Sequence, residues 1–132
     1  MILVDANVLM YAAGAPHPYK ERSAAYLERV ASGELDAVLD AEVLQELLHR
    51  YRALNRWKEG RKLFDLARTI FPVVLPVTAE LMDRACVLLD AYPHLMARDA
   101  LHAAVVLGHD LEALCSFDQD FDLVAGVHRV EP

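Results

Sequence analysis

The residues of this 132-residue chain best suited to chemistry are acids placed at the ends of apolar runs. Asp5 follows Ile2-Leu3-Val4, and Asp118 comes soon after Ala113-Leu114-Cys115-Ser116. Both runs read as short buried strands. Ligands of parallel α/β sheets bind at the carboxyl ends of strands. If these two strands are neighbours, Asp5 and Asp118 face one crevice. Glu46 lies in the helical pattern from Ala41 to Leu54. Stepping roughly 100° per residue from Val43 puts Glu46 at the edge of the apolar stripe formed by Leu47, Tyr51 and Leu54. Glu42 turns further toward solvent. Asp99 opens the apolar helix in MARDALHAA, and Asp120 is a secondary candidate beside Asp118.

Most of these acids also have an ordinary structural account. Asp5 could cap a short turn at Val8 to Tyr11, as could Asn7. Glu46 could pair with Arg50 at i+4, worth about 0.3–0.5 kcal/mol. Asp99 could answer the helix dipole, worth ~0.3–1 kcal/mol. His102, one turn later, could pack in the core or hydrogen-bond Asp99. Asp120 and Asp122 suit turn or cap positions. The D-x-D-x-D run is not a calcium loop, because Leu123 and Arg129 stand where that loop needs Gly and Glu.

Four carboxylates at one crevice repel one another unless cations neutralise them. Oxygen ligands from Asp and Glu suit Mg²⁺ or Mn²⁺ better than zinc. Such a centre supports hydrolysis of a phosphodiester. Competing chemistries lack their residues. There is no Gly-rich phosphate loop, the six histidines have no zinc spacing, and no serine sits in a nucleophile elbow.

The elements that must position these acids alternate. Strands are expected at Ile2–Val4, Ala37–Leu39, Val73–Leu75, Ala113–Ser116 and Val127–Val130. Pro72 and Pro76 put the third at an edge. Helices are expected at Tyr19–Ala31, Ala41–Leu54, Trp57–Ile70, Thr78–Tyr92 and Arg98–Gly108. Thr78 caps the fourth of these helices, and Leu81, Ala85, Leu88 and Leu89 form its apolar stripe. This alternation predicts an α/β domain with a mainly parallel sheet covered on both faces. The length suits a single domain, residues 1–132, and 55% hydrophobic residues exclude disorder. No apolar run approaches the ~20 residues of a membrane span. The N-terminus, with Asp5 in its apolar stretch, does not read as a signal peptide. Cys86 and Cys115 read as buried free thiols of a cytoplasmic protein. The net charge of −7 argues against a nucleic-acid partner, yet Arg50 to Arg68 holds seven cations against two acids. That run is either a solvated helix face or a phosphate-positioning patch.

At these residues the chain resembles the PIN-domain nucleases, above all the VapC-like toxins of toxin–antitoxin pairs. ILVDANVLMYA resembles their first motif and places its acid on Asp5. AEVLQELLHRY resembles the second, with Glu46 rather than Glu42 at the acidic position. MARDALHAAVVLGHDLEAL resembles the third, on Asp99, and CSFDQDFDLVAGVHRVEP the C-terminal one, on Asp118. The resemblance runs from Ile2 to about Val130. It implies a three-layer α/β/α fold with a five-stranded sheet of order 3-2-1-4-5. It implies endoribonuclease activity dependent on Mg²⁺ or Mn²⁺, with Asp5, Glu46, Asp99 and Asp118 as catalytic and metal-binding residues. An RNA substrate, a cognate antitoxin and a homodimer follow from it. Convergence of the four acids is expected, with Asp5, Asp99 and Asp118 closest.

Two other classes compete. A receiver-like signalling module would need an acceptor Asp after the third strand and a Lys near the last one. The third strand instead runs into Pro76-Val77-Thr78, and no Lys follows Lys62. A non-catalytic binding module would not need the full acidic set.

Overall fold

The computed structural model describes residues 1–132. Its centre is one five-stranded parallel sheet in the order β3-β2-β1-β4-β5. The strands are β1 (Ile2–Val4), β2 (Ala37–Asp40), β3 (Val74–Leu75), β4 (Ala113–Cys115) and β5 (Arg129–Val130). The helices are α1 (Ala6–Ala13), α2 (Lys20–Ala31), α3 (Ala41–Ala53), α4 (Trp57–Ile70), α5 (Ala79–Ala91) and α6 (Ala97–Gly108). The predicted α/β class and strand order are both present, and β3 lies at the edge its flanking prolines require.

Side chains of a strand alternate between the two faces of its sheet, and here the alternation sorts the core in two. Leu3, Val38 and Leu114 point into a cluster with Leu81, Ala85 and the apolar face of α6. Val4, Leu39 and Cys115 point the other way, against α1 to α4 through Val8, Leu9, Val43, Leu47 and Phe71. These are the three layers. The strands read as unbroken apolar runs because both of their faces are covered.

Two polar caps start helices beside the sheet. Val43 N–H donates to Asp40 Oδ1 at 2.9 Å, and Leu81 N–H donates to Thr78 Oγ1 at 3.3 Å. Each satisfies one of the four backbone donors that a helix start leaves open. The α3–α4 hairpin closes where Gly60 is buried against Tyr51.

The structure corrects several local expectations. The first helix begins at Ala6, so Asp5 stands at its cap position but makes no side-chain cap bond, and Asn7 is already helical. Cys86 is exposed, because α5 turns only Leu81 and Ala85 fully inward. Leu89, on the expected stripe, is exposed too. Cys115 is buried, and burial pushes its thiol up to about 12, which makes it a poor nucleophile. No helix is long and apolar enough to cross a membrane.

Candidate active site

Asp5, Asp40 and Asp118 lie at or just past the carboxyl ends of β1, β2 and β4. Adjacency of β1 and β4 in the sheet brings Asp5 beside the chain leading to Asp118. Asp5 N–H donates to Cys115 O at 3.0 Å, which carries the ladder one residue past β1. Ser116 then joins the strands through its side chain. Its hydroxyl donates to Asp5 Oδ2 at 2.6 Å. Ser116 Oγ in turn accepts from Asn7 Nδ2 at 3.1 Å and from Asp118 N–H at 3.0 Å.

The expected acids fall into two adjoining groups. Asp5 and Glu46 gather with His102, their ligand atoms within 4.8 Å of one another. Asp99 and Asp118 gather with Asp120 on the same criterion. Asp5 therefore clusters with Glu46, not with Asp99 and Asp118 as the closest set. Fields from both groups reach Asp99. Burial, then Asp118, then Asp5 raise its pKa from 3.8 to about 6, with Glu46 adding to the effect. Asp5, only 6% exposed, is also raised: burial dominates, and His102 and the Ser116 hydroxyl oppose it. Both shifts follow from taking like charges out of water.

Two local expectations fail here. Glu46 does not pair with Arg50; its Oε1 lies 2.8 Å from His102 Nε2. His102 does not bond Asp99, because its other nitrogen, Nδ1, lies 2.7 Å from Asp40 Oδ2. The ring is buried with three carboxylates around it, including Asp5 Oδ1 at 3.9 Å. Burial pushes its pKa down, but Asp40, Glu46 and Asp5 outweigh burial and hold it well above 6.5. Glu42 is half-buried, raised first by burial and then by Glu46. Asp122 points elsewhere, paired with Arg129 at 2.8 Å. Asp120 donates its N–H to Asp118 Oδ1 at 2.9 Å, so Asp118 caps its own loop.

Asp40, His102 and Ser116 organise this cleft; the sequence offered only His102 as a partner of a site acid, and to Asp99 rather than to Glu46 and Asp40. Their contacts join residues 56 to 111 positions apart, a separation at which local spacing carries no signal. A strand ending directly in an acid, as β2 does at Asp40, is the one local hint.

The donor set suits a hard divalent cation. Asp5, Glu46, Asp99 and Asp118 form no ion pair with any lysine or arginine; Asp5 and Glu46 have only His102 as an ion-pair partner, and Asp99 and Asp118 have none. Carboxylates left without such partners in a partly buried cleft are the arrangement a cation relieves. Among the cations of the Arg50–Arg68 run, Arg56 pairs with Glu59 at 3.0 Å and Arg61 with Asp65 at 3.1 Å. Arg52 lies 5.0 Å from the centre of the Trp57 ring.

A parallel sheet of order 3-2-1-4-5 with acids gathered at its carboxyl edge defines the class, and the chain belongs to the PIN-domain family, whose profile matches residues 2–127. It is 44% identical over 130 residues to ribonuclease VapC13 of Mycobacterium tuberculosis, covering 98% of this chain and 99% of that one. Among solved structures, the sarcin–ricin-loop-cleaving toxin VapC20 of M. tuberculosis superposes with a TM-score of 0.74 at 23% identity, covering 100% of each chain. A chain of a toxin–antitoxin complex from Klebsiella pneumoniae superposes with a TM-score of 0.68 at 18% identity, covering 96% of this chain and 95% of that one.

Proposed function

We propose that this chain, as a single nuclease domain over residues 1–132, is an endoribonuclease that depends on Mg²⁺ or Mn²⁺. The observation that carries the reading is the cleft itself: Asp5 groups with Glu46, Asp99 groups with Asp118, the charges of Asp5 and Glu46 reach Asp99, and no lysine or arginine pairs with any of the four. The ribonuclease activity of a relative that is 44% identical along nearly the whole chain supports the substrate class.

In this reading Asp5, Glu46, Asp99 and Asp118 hold the cation, with Asp120 beside them. A divalent ion held by these residues would activate a water as nucleophile and neutralise charge on the phosphate. The chain's own groups prepare the place. The Ser116 hydroxyl keeps Asp5 turned into the cleft, and Asp118 N–H is tied back to the same hydroxyl. The acid loop after β4 is thereby fixed to the end of β1. Catalysis needs such groups held to within about half an ångström, and a sheet edge does this better than a free loop.

The same reading assigns the biological role of a toxin held by a cognate antitoxin, acting as a homodimer in the cytoplasm. The toxin–antitoxin complex among the fold neighbours supports the antitoxin partner. A receiver-like role lacks its residues: β3 leads to Pro76 and Thr78, without an acceptor Asp.

The test is cleavage of RNA by purified protein after exhaustive chelation, followed by restoration of Mg²⁺ or Mn²⁺. Activity that is lost on chelation and returns with the ion is the expected result. Undiminished cleavage in chelator would reject the metal role. No cleavage of any RNA with either ion present would reject the nuclease reading.

A further inference from the structure

We infer that Asp40 and His102 act together as a positioning pair that fixes Glu46 for the cation. The inference rests on the metal-dependent reading above and assigns a role to two residues outside its ligand set.

Asp40 is fully buried, and both of its oxygens are committed. Oδ1 accepts from Val43 N–H at the start of α3, and Oδ2 faces His102 Nδ1 on α6 at 2.7 Å. One side chain therefore sets both the start of the helix that carries Glu46 and the orientation of the ring that meets Glu46. The ring is 1% exposed, and its remaining nitrogen reaches Glu46 Oε1 at 2.8 Å. Asp5 Oδ1, at 3.9 Å, is beyond hydrogen-bond range.

A core histidine that only fills space needs one partner for each nitrogen and no pattern among those partners. Here two acids reach the ring from positions 62 and 56 residues away, and one of them is a site residue. Glu46 has a long side chain at the rim, 13% exposed, and costs rotamer entropy to hold still. His102 removes much of that freedom by binding one oxygen and leaves the other available to an ion. Hydrogen-bond partners behind a metal ligand typically alter affinity by about 10–100-fold when removed.

Two substitutions separate positioning from packing. The amide of Gln reaches about as far as imidazole Nε2, and that of Asn about as far as Nδ1. His102→Gln therefore keeps a donor toward Glu46, whereas His102→Asn keeps only the side facing Asp40. Mn²⁺ binding is measured without RNA, by the electron paramagnetic resonance signal of free ion, with thermal melting to verify the fold. His102→Asn should weaken Mn²⁺ binding about tenfold or more, and His102→Gln should recover most of that loss. Unchanged binding in folded His102→Asn would overturn the proposal, as would a His102→Gln variant that folds but binds no better.

If His102→Asn does not fold, the wild-type protein decides. Nitrogen-detected NMR of His102 should show its Nε2 proton before and after saturation with Mg²⁺. Loss of that proton to a ligating nitrogen would overturn positioning and make His102 a ligand. Wild-type protein that binds no Mn²⁺ would overturn the metal-dependent reading and this inference with it. Binding that is lost in Asp5→Asn but intact in His102→Asn would overturn the inference alone.

Discussion

Ser116 donates its hydroxyl hydrogen to Asp5 Oδ2 over 2.6 Å, joining residues 111 positions apart at the ends of adjacent strands. Ser116 Oγ in turn accepts from Asn7 and Asp118, so one hydroxyl serves three groups of the cleft. Ser116→Ala leaves a buried carboxylate and two donors short of partners. The expected cost is about 1–3 kcal/mol in urea unfolding, as for an unsatisfied buried polar group. The variant should also bind Mn²⁺ more weakly. An unchanged unfolding midpoint with unchanged Mn²⁺ binding would show that the hydroxyl holds nothing in place.

Asp99 makes the metal-free protein sensitive to pH. Its folded pKa, about 6, lies above the ordinary 3.8 because of burial, Asp118 and Asp5. The folded state therefore holds this proton more tightly than the unfolded chain does. Its contribution to stability is fully present below about pH 3.8 and is lost as pH rises through about 6. Asp99→Asn removes the group, so the variant should match wild type near pH 4 and exceed it at pH 7. The gain is on the order of 1–2 kcal/mol after allowance for solvent screening. Saturating Mn²⁺ should reverse the order at pH 7, because the ion stabilises only the protein that binds it. A stability difference independent of pH would contradict the assignment.

Much of the fold was legible in the sequence because local chemistry dictates it. Pro72 and Pro76 could flank only an edge strand, and β3 is at the edge. Thr78 caps α5 as its type and position require. Alternating strand and helix patterns led to the parallel sheet. The errors have a common cause. Cys86 and Leu89 looked buried because periodicity marks an apolar residue without showing whether a layer covers it; α5 is an outer helix. Asp5 and Asn7 read as rival caps because both precede the turn expected at Val8 to Tyr11, yet the helix starts at Ala6 and both side chains bond Ser116 across the sheet. His102 looked like a neighbour of Asp99 from its helical spacing, but its partners come from β2 and α3. Long-range partners leave no trace in spacing.

Gly60 marks a close approach in the α3–α4 hairpin. A Cβ added there would collide with Tyr51 Cβ and Cγ, atoms near the backbone that cannot swing aside. Gly60→Ala should therefore destabilise the protein by about 1–3 kcal/mol, although alanine favours helix in general. Differential scanning calorimetry would show this as a lower melting temperature; a rise would show that the hairpin relaxes without strain.

An acidic protein must still hold a polyanion. Arg98 lies at the start of α6, exposed, and its charge opposes the upward shift at Glu42. Arg50 stands one turn beyond Glu46 and takes part in no ion pair. Charge reversal at Arg98 and Arg50 should raise the KM for RNA severalfold with little change in kcat. It should also flatten the dependence of binding on salt, as expected for lost phosphate contacts. Arg61, paired with Asp65 on α4, is the control whose reversal should leave KM within about twofold. Equal effects at all three positions would point to general charge rather than a path for the substrate.

In the metal-dependent reading, buried Asp5 serves the cation and not the fold. Asp5→Asn is nearly isosteric and removes one of the crowded negative charges. Isothermal titration with Mn²⁺, paired with RNA cleavage by the same preparation, tests this most directly. Asn at this position should abolish both Mn²⁺ binding and cleavage while the metal-free protein melts no lower than wild type. A folded Asp5→Asn protein that binds Mn²⁺ and cleaves RNA at near wild-type levels would contradict that reading.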